Sequence, residues 1–289
     1  MLSALIKSMR PRQWSKNVFV LAAVVFDKKL LNPEAVGKSL AGMVLFCLLS
    51  SSVYLINDIL DAEADRNHPQ KRNRPIASGK LPVPVAAAAA IGIILVTIPA
   101  SFLLSTLFGW IALIYFLVNL AYSTRLKHIP LIDVLIIAAG FVLRVAAGVS
   151  LIEVERFSPW LYVVTTLLAL YIGFGKRRAE LTLLQNDANN HRRVLDGYNL
   201  ALLDQLITIV SGTTIVAYSL YTFSAPNLPD NHSMMLTIPF VIYGIFRYLY
   251  LIQVEQAGGA PEDIVLTDKP LQAAILLWGL SVLFVFYLN

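Results

Sequence analysis

One kind of segment recurs from end to end of this chain: an apolar run near the ~20 residues that carry a helix across a bilayer. Nine such runs are expected, at roughly 17–31, 38–60, 83–104, 107–123, 131–151, 158–176, 204–223, 235–254 and 271–288. The first is short, as a tilted or partly re-entrant segment would be. Hydrophobic residues make up 57% of the 289 positions and charged residues 14%, far too apolar a balance for a soluble domain. The interruptions between runs are too short to hold a soluble domain. The expected fold is therefore all-α: one polytopic membrane domain over residues 1–289.

Lysine and arginine orient the runs, because cytoplasmic loops accumulate them. Seventeen of the 23 basic residues fall on one side: Lys7, Arg10, Arg12 and Lys16; Arg66, Lys71, Arg72, Arg74 and Lys80; Arg125 and Lys127; Lys176, Arg177, Arg178, Arg192 and Arg193; and Lys269. Lys28, Lys29, Lys38 and Arg156 fall on the other, while Arg144 and Arg247 lie inside apolar runs. The N-terminus is expected in the cytoplasm and the C-terminus outside. Topology and anionic substrates account for the net charge of +5, so no nucleic acid is expected as a partner. Cys47 is the single cysteine and excludes an intrachain disulfide. The first run lacks a small-residue cleavage site and is expected to be retained. Ala86 to Ala90 is a small-residue patch suited to close helix contact.

The polar residues concentrate in the cytoplasmic loops, which places the chemistry on that face. At the mouth of the second run, Asn57, Asp58, Asp61 and Asp65 stand in N-D-I-L-D-A-E-A-D. At about 100° per residue the three aspartates share one narrow sector and are expected to converge on a point beside the helix. A hard divalent cation relieves their repulsion; Mg²⁺ takes one or two carboxylates and leaves its other positions to water and phosphates. The chain then runs into a cationic loop, where Arg66, Lys71, Arg72 and Arg74 are placed to bind the phosphates from the far side of the metal. The bland alternative is that these cations only signal topology. His68 stands alone in this loop, and His128, His191 and His232 are scattered, so no histidine metal site is visible.

Tyr122, Arg125, Lys127 and Asp133 gather where two runs meet a tight turn, with Pro130 opening the next helix. Asp133 falls in the first turn of that helix, where capping and a site role are both open. Tyr122 and Lys127 are candidates for phosphate oxygens. Arg144 and Arg247 are costly inside a membrane and suit a polar cavity, with structural pairing or snorkelling as the alternative. In G-F-G-K-R-R-A-E-L at the end of the sixth run, Lys176, Arg177 and Arg178 diverge around a helix, so at most two serve one ligand. Glu180, one turn on, is expected to orient Lys176. Glu262, Asp263 and Asp268 place acid in the last cytoplasmic loop, for sugar hydroxyls, a second metal or pairing with loop arginines.

The N-D-x-x-D-x-x-x-D run on the second of nine segments, followed by R-N-R-P-I-A-S-G, resembles the UbiA superfamily of intramembrane prenyltransferases. The resemblance implies helices around a central cavity open to the cytoplasmic side, in a bacterial cytoplasmic membrane. The aromatic prenyltransferases of that superfamily carry a second acidic motif after the sixth helix; here G-K-R-R-A-E-L stands in its place. Together with R-P-R-Q-W-S-K-N at Arg10 to Asn17 and P-E-D-I-V-L-T-D-K-P-L-Q, this is similar to one branch. Its members transfer 5-phosphoribose from phosphoribosyl diphosphate (PRPP) to a polyprenyl (decaprenyl) monophosphate, for cell-envelope glycan precursors. The resemblance implies Mg²⁺ held by Asn57, Asp58, Asp61 and Asp65, with Asp58, Asp61, Lys71 and Arg74 catalytic. Lys16, Lys127, Arg144 and Lys176 are the candidates for the remaining phosphates, and Arg66, Arg72, Tyr122, Asp133, Arg177, Glu180, Arg247 and Glu262 complete the expected substrate-binding set. Its partners would be PRPP, the polyprenyl phosphate and membrane lipids, with a homo-oligomer left open. The alternatives are an aromatic prenyltransferase using a polyprenyl diphosphate and, from another class, a lipid-linked sugar transporter. Against the latter, no paired broken helices or internal repeats stand out.

Overall fold

The computed structural model describes residues 1–67, 71–154, 158–185, 193–226, 228–255 and 261–288, without the side chains of 183–185, 193, 261 and 262. His68, Arg156, His191 and Arg192 lie outside the described residues, as do the side chains of Arg193 and Glu262. All regular structure in the described residues is helical. In chain order it comprises α1 (Leu2–Ser8), a 3-10 segment (Pro11–Leu21), α2 (Ala22–Phe26), α3 (Pro33–Leu60), α4 (Ala62–Asn67) and α5 (Val83–Leu104). There follow α6 (Thr106–Thr124), α7 (Ile132–Val149), α8 (Pro159–Gln185), α9 (Leu200–Ser224), α10 (Ile238–Gln253), α11 (Pro261–Thr267) and α12 (Lys269–Tyr287), with short 3-10 turns between.

Among the described residues, seven helical stretches are long and apolar enough to cross a membrane: α3, α5, α6, α7, α9, Ser233–Gln253 and α12. Two expected runs take a different form. The first is the 3-10 segment followed by the five-residue α2, bounded by positive φ values at Arg10 and Lys28. The sixth is α8, which runs 27 residues and carries Lys176 to Leu181 inside the helix rather than beyond its end. Pro130 does not open α7, which begins at Ile132 after Leu131 turns the chain with φ 67.

The described chain forms two compact units. The first comprises Met1–Val25, Lys29–Ile136 and Gly140–Val154; the second comprises Phe26–Lys28, Ile137–Ala139 and Glu155–Asn289. In the first, Asn32 caps α3 by accepting from the Glu34 and Ala35 amides at 3.0 and 3.1 Å, and Pro33 takes the first helical position. The 28 residues of α3 rise about 42 Å against a hydrocarbon core of about 30 Å. The surplus is long enough for its polar last turn, from Asn57, to extend past the lipid tails. Phe46 packs edge-on against Phe108, with Tyr115, Val20, Ala147 and Leu151 closing the same core. Gly148 is required there, because a Cβ would lie 2.0 Å from the Val20 carbonyl oxygen. On the other flank of α3, Ala86 and Ala90 of α5 are buried with Leu55, Ile76 and Leu81, so the alanine patch serves close packing.

That last cluster also fixes the cationic loop. Ile76 and Leu81 are 1% and 0% exposed, and Gly79 makes the turn between them at φ 77, a conformation glycine adopts without strain. The Ser78 amide donates to the Arg74 carbonyl and the Leu81 amide to that of Pro75. An apolar anchor thus holds the segment carrying Arg74.

In the second unit α8, α9, α10 and α12 pack around aromatic residues. Tyr218 accepts from Trp278 Nε1 at 2.7 Å and shares a 2.6 Å hydrogen bond with Thr237; Tyr171 donates to the Ile245 carbonyl. Buried hydroxyls in an apolar interior need such partners. Asn199 and Asp268 cap α9 and α12.

Candidate functional site

The acidic run lies where α3 ends. Asp58 is on its last full turn and 3% exposed; Asp61 terminates it at φ −91, ψ 1; Asp65 lies on α4 and is 4% exposed. The Asp61 amide still donates to the Asn57 carbonyl, and that of Asp65 to Asp61, so the turn survives with its phase altered. Arg74 Nη1 bridges Asp58 Oδ1 at 3.1 Å and Asp65 Oδ2 at 2.7 Å. Asp61 turns elsewhere, accepting from Lys127 Nζ at 2.6 Å and Asn57 Nδ2 at 3.1 Å. The expected convergence of three aspartates is therefore corrected to two on one nitrogen and a third on a separate cation. Among the described residues no group of three His, Cys, Asp or Glu is placed to hold a metal. The donors are nonetheless carboxylate and amide oxygens, the chemistry a hard divalent cation requires. Asp58 and Asp65 already face one shared point.

Sequence reasoning missed the second partner of Asp58. Arg10 Nη2 donates to Asp58 Oδ1 at 2.5 Å, and the guanidinium lies 4.9 Å from the centre of the Tyr54 ring. Arg10 adopts φ 54, ψ 62, unusual for a residue with a Cβ. Its segment is held on α3 by Ser51, which accepts from Trp14 Nε1 at 3.0 Å and shares its hydroxyl proton between the Cys47 carbonyl at 2.7 Å and that of Met9 at 3.1 Å. In the sequence Arg10 counts among the cytoplasmic cations and opens R-P-R-Q-W-S-K-N, but its contact with Asp58 spans 48 residues and leaves no trace in local pattern.

Of the other expected residues in the first unit, Lys16 is half-buried, Lys71 opens the short turn before Arg74, and Arg72 is exposed. Arg66 reaches the Ala77 carbonyl at 3.4 Å. Tyr122 is half-buried near the end of α6, and Asp133 is fully buried in the first turn of α7. Arg144, 6% exposed, donates to Asn17 Oδ1, the Gly140 carbonyl and the Tyr115 hydroxyl, at 2.8, 2.9 and 2.8 Å. It also lies over the Tyr115 and Phe141 rings. Among the described residues its hydrogen-bond partners are all neutral.

The second unit holds Lys176, Arg177, Glu180 and Arg247. Glu180 accepts from Arg177 Nη1 at 2.7 Å, so the acid expected to orient Lys176 is taken by its neighbour, one residue nearer on the same helix face. Arg178 joins α8 to Asp204 of α9 and the Ile252 carbonyl of α10. Arg247 forks onto both oxygens of Asp268, at 3.2 and 2.7 Å, and lies 3.5 Å from Glu255. Arg247 hydrogen bonding holds the Asp268 carboxyl below its ordinary range, aided by the Leu271 amide. Arg247 therefore finds a structural pairing, with an acid 21 residues away.

Residues 18–261 match the UbiA prenyltransferase family. The chain is 33% identical to the decaprenyl-phosphate phosphoribosyltransferase of Corynebacterium glutamicum, over 98% of this chain and 87% of that protein. It is 35% identical to the decaprenyl-phosphate phosphoribosyltransferase of Mycolicibacterium smegmatis, over 96% and 91%. In fold it is similar to a UbiA homolog from Archaeoglobus fulgidus bound to DMAPP and Mg²⁺, with a TM-score of 0.74 over 99% of each chain at 18% identity.

Proposed function

The chain belongs to the UbiA prenyltransferase family, and from that premise we propose that it transfers the 5-phosphoribosyl group of PRPP to decaprenyl phosphate, releasing diphosphate. Whole-length kinship with the decaprenyl-phosphate phosphoribosyltransferases supports both donor and acceptor. The observation that carries the reading is local: one end of the first unit sets Asp58, Asp61 and Asp65 against Arg10, Arg74 and Lys127. Acids that hold a metal, interleaved with cations that take phosphate, suit a metal-bound diphosphate.

Asn57, Asp58, Asp61 and Asp65 would hold Mg²⁺, which supplies Lewis-acid charge to the departing diphosphate. Lys71, Arg72 and Arg74 neutralise the charge that grows on it, Arg74 from a segment fixed by Ile76 and Leu81. An oxygen of the lipid monophosphate forms the new bond to ribose C1. The bond from C1 to the diphosphate oxygen breaks, and its electron pair leaves with diphosphate. The nucleophile is already an anion near neutral pH, so no general base is required and positioning dominates. In-line displacement inverts C1. Lys16, Lys127, Arg144 and Lys176 are assigned to the 5-phosphate and the lipid phosphate, and Arg66, Tyr122, Asp133, Arg177, Glu180, Arg247 and Glu262 to their surroundings. Of these, Arg144 has the strongest case, since among the described residues its buried charge is hydrogen-bonded to neutral groups.

In this reading the chain acts as a single domain in a bacterial cytoplasmic membrane, with nine segments around a cavity open to the cytoplasm, the N-terminus inside and the C-terminus outside. The basic-residue asymmetry supports that orientation. Diphosphate release by purified protein in detergent, with PRPP and decaprenyl phosphate supplied, tests the reading. Release dependent on both substrates supports it. PRPP left intact overturns it, and since no sealed compartment is present a transporter gives that result.

A further inference from the structure

Ser51, Tyr54 and Asp58 are spaced by three and four residues and so share one face of α3. Along that face runs the N-terminal segment, tied to Ser51 through Met9 and Trp14, with Arg10 stacked on Tyr54 and paired to Asp58. Arg10 is thus delivered to a buried carboxylate by contacts other than the ion pair, in a backbone conformation that residues with a Cβ rarely adopt. Lys127 reaches Asp61 from the loop after α6 and is itself only 11% exposed.

The three aspartates and the three cations Arg10, Arg74 and Lys127 are neutral as a set. A divalent cation arriving alone would have to displace these cations from the carboxylates and leave them facing the metal without counter-charge. A metal diphosphate brings negative oxygens with it, onto which the displaced guanidinium and ammonium groups can pass. From this geometry, and resting on the site reading above, we infer that Arg10 and Lys127 form a counter-ion latch. The latch makes metal binding conditional on the diphosphate, and Arg10 joins the groups that grip it. Coupling between two ligands is reciprocal, so the diphosphate depends on the metal by the same factor.

Equilibrium dialysis of the full-length protein in detergent tests the latch, using Mn²⁺ alone and Mn²⁺ with inorganic diphosphate, each against a protein-free control. The probe reads binding rather than turnover. Wild-type protein is expected to bind Mn²⁺ at least ~10-fold more tightly with diphosphate than without, within the usual span of coupling factors. Arg10→Gln and Lys127→Met are expected to tighten binding of Mn²⁺ alone and weaken the joint complex, closing the gap. Arg10→Lys, which keeps the charge, is expected to preserve most of it. Equal affinity in the two wild-type measurements, or weaker binding of Mn²⁺ alone by both neutral variants, overturns the latch and leaves the site reading standing. No bound Mn²⁺ in either measurement overturns the site reading itself. An unchanged gel-filtration profile for Arg10→Gln separates both from misfolding.

Discussion

Lys127 Nζ lies 2.6 Å from Asp61 Oδ1, joining the loop after α6 to the end of α3 across 66 residues of chain. The pair ties a candidate metal ligand to a candidate phosphate ligand. Lys127→Met is expected to lower kcat/KM for PRPP by about 10²-fold, the usual cost of removing one donor from developing charge. Steady-state kinetics on the purified variant checks this, and an unchanged kcat/KM contradicts the phosphate role.

Asp58 is buried and meets two arginines. Asp58→Asn keeps its shape but removes the charge, so turnover is expected to vanish while the protein still elutes as folded. Near-normal activity in that variant refutes the metal role.

Arg144 ties Asn17, Gly140 and Tyr115 together inside the first unit. Arg144→Ala leaves the Asn17 carbonyl and the Tyr115 hydroxyl short of a partner, at about 1–3 kcal/mol for each buried group left unsatisfied. A thermal melt in detergent is expected to shift down by several degrees. An unchanged melt with lost activity would assign Arg144 to substrate alone.

Two glycines give opposite results. Gly148→Ala drives a Cβ into the Val20 carbonyl, a backbone atom that cannot yield, and is expected to destabilise by at least about 1–3 kcal/mol. Gly37→Ala meets nothing within 4 Å on a helix and is expected to hold or raise stability. Melting both in parallel checks the packing of this unit.

The Asp268 carboxyl is held below its ordinary value of 3.8. A depressed carboxylate stabilises the folded state above its unfolded pKa, and that contribution fades as pH falls through the folded value. The melting difference between wild type and Asp268→Asn is therefore expected to stay constant from pH 5 upward and to shrink below about pH 4. A difference that grows on acidification contradicts the pairing with Arg247.

Composition and spacing made the membrane class and the acidic run legible, because both are properties of consecutive residues. Asp61 escaped the helical-phase argument because α3 ends on it, and a residue at ψ 1 no longer follows 100° per step. Arg10, Asn17 and the pairing of Arg247 with Asp268 depend on distant contacts that no local pattern encodes. Glu180 chose Arg177 over Lys176 because i−3 and i−4 neighbours lie equally within reach on a helix.

The most direct test supplies purified protein with Mg²⁺, PRPP and decaprenyl phosphate, and reads the lipid fraction by mass spectrometry. The expected result is a lipid heavier by one phosphoribosyl group, absent when EDTA removes the metal. No such lipid, together with prenylation of a phenolic acceptor when a prenyl diphosphate is supplied, would contradict pentosyl transfer and make the chain an aromatic prenyltransferase.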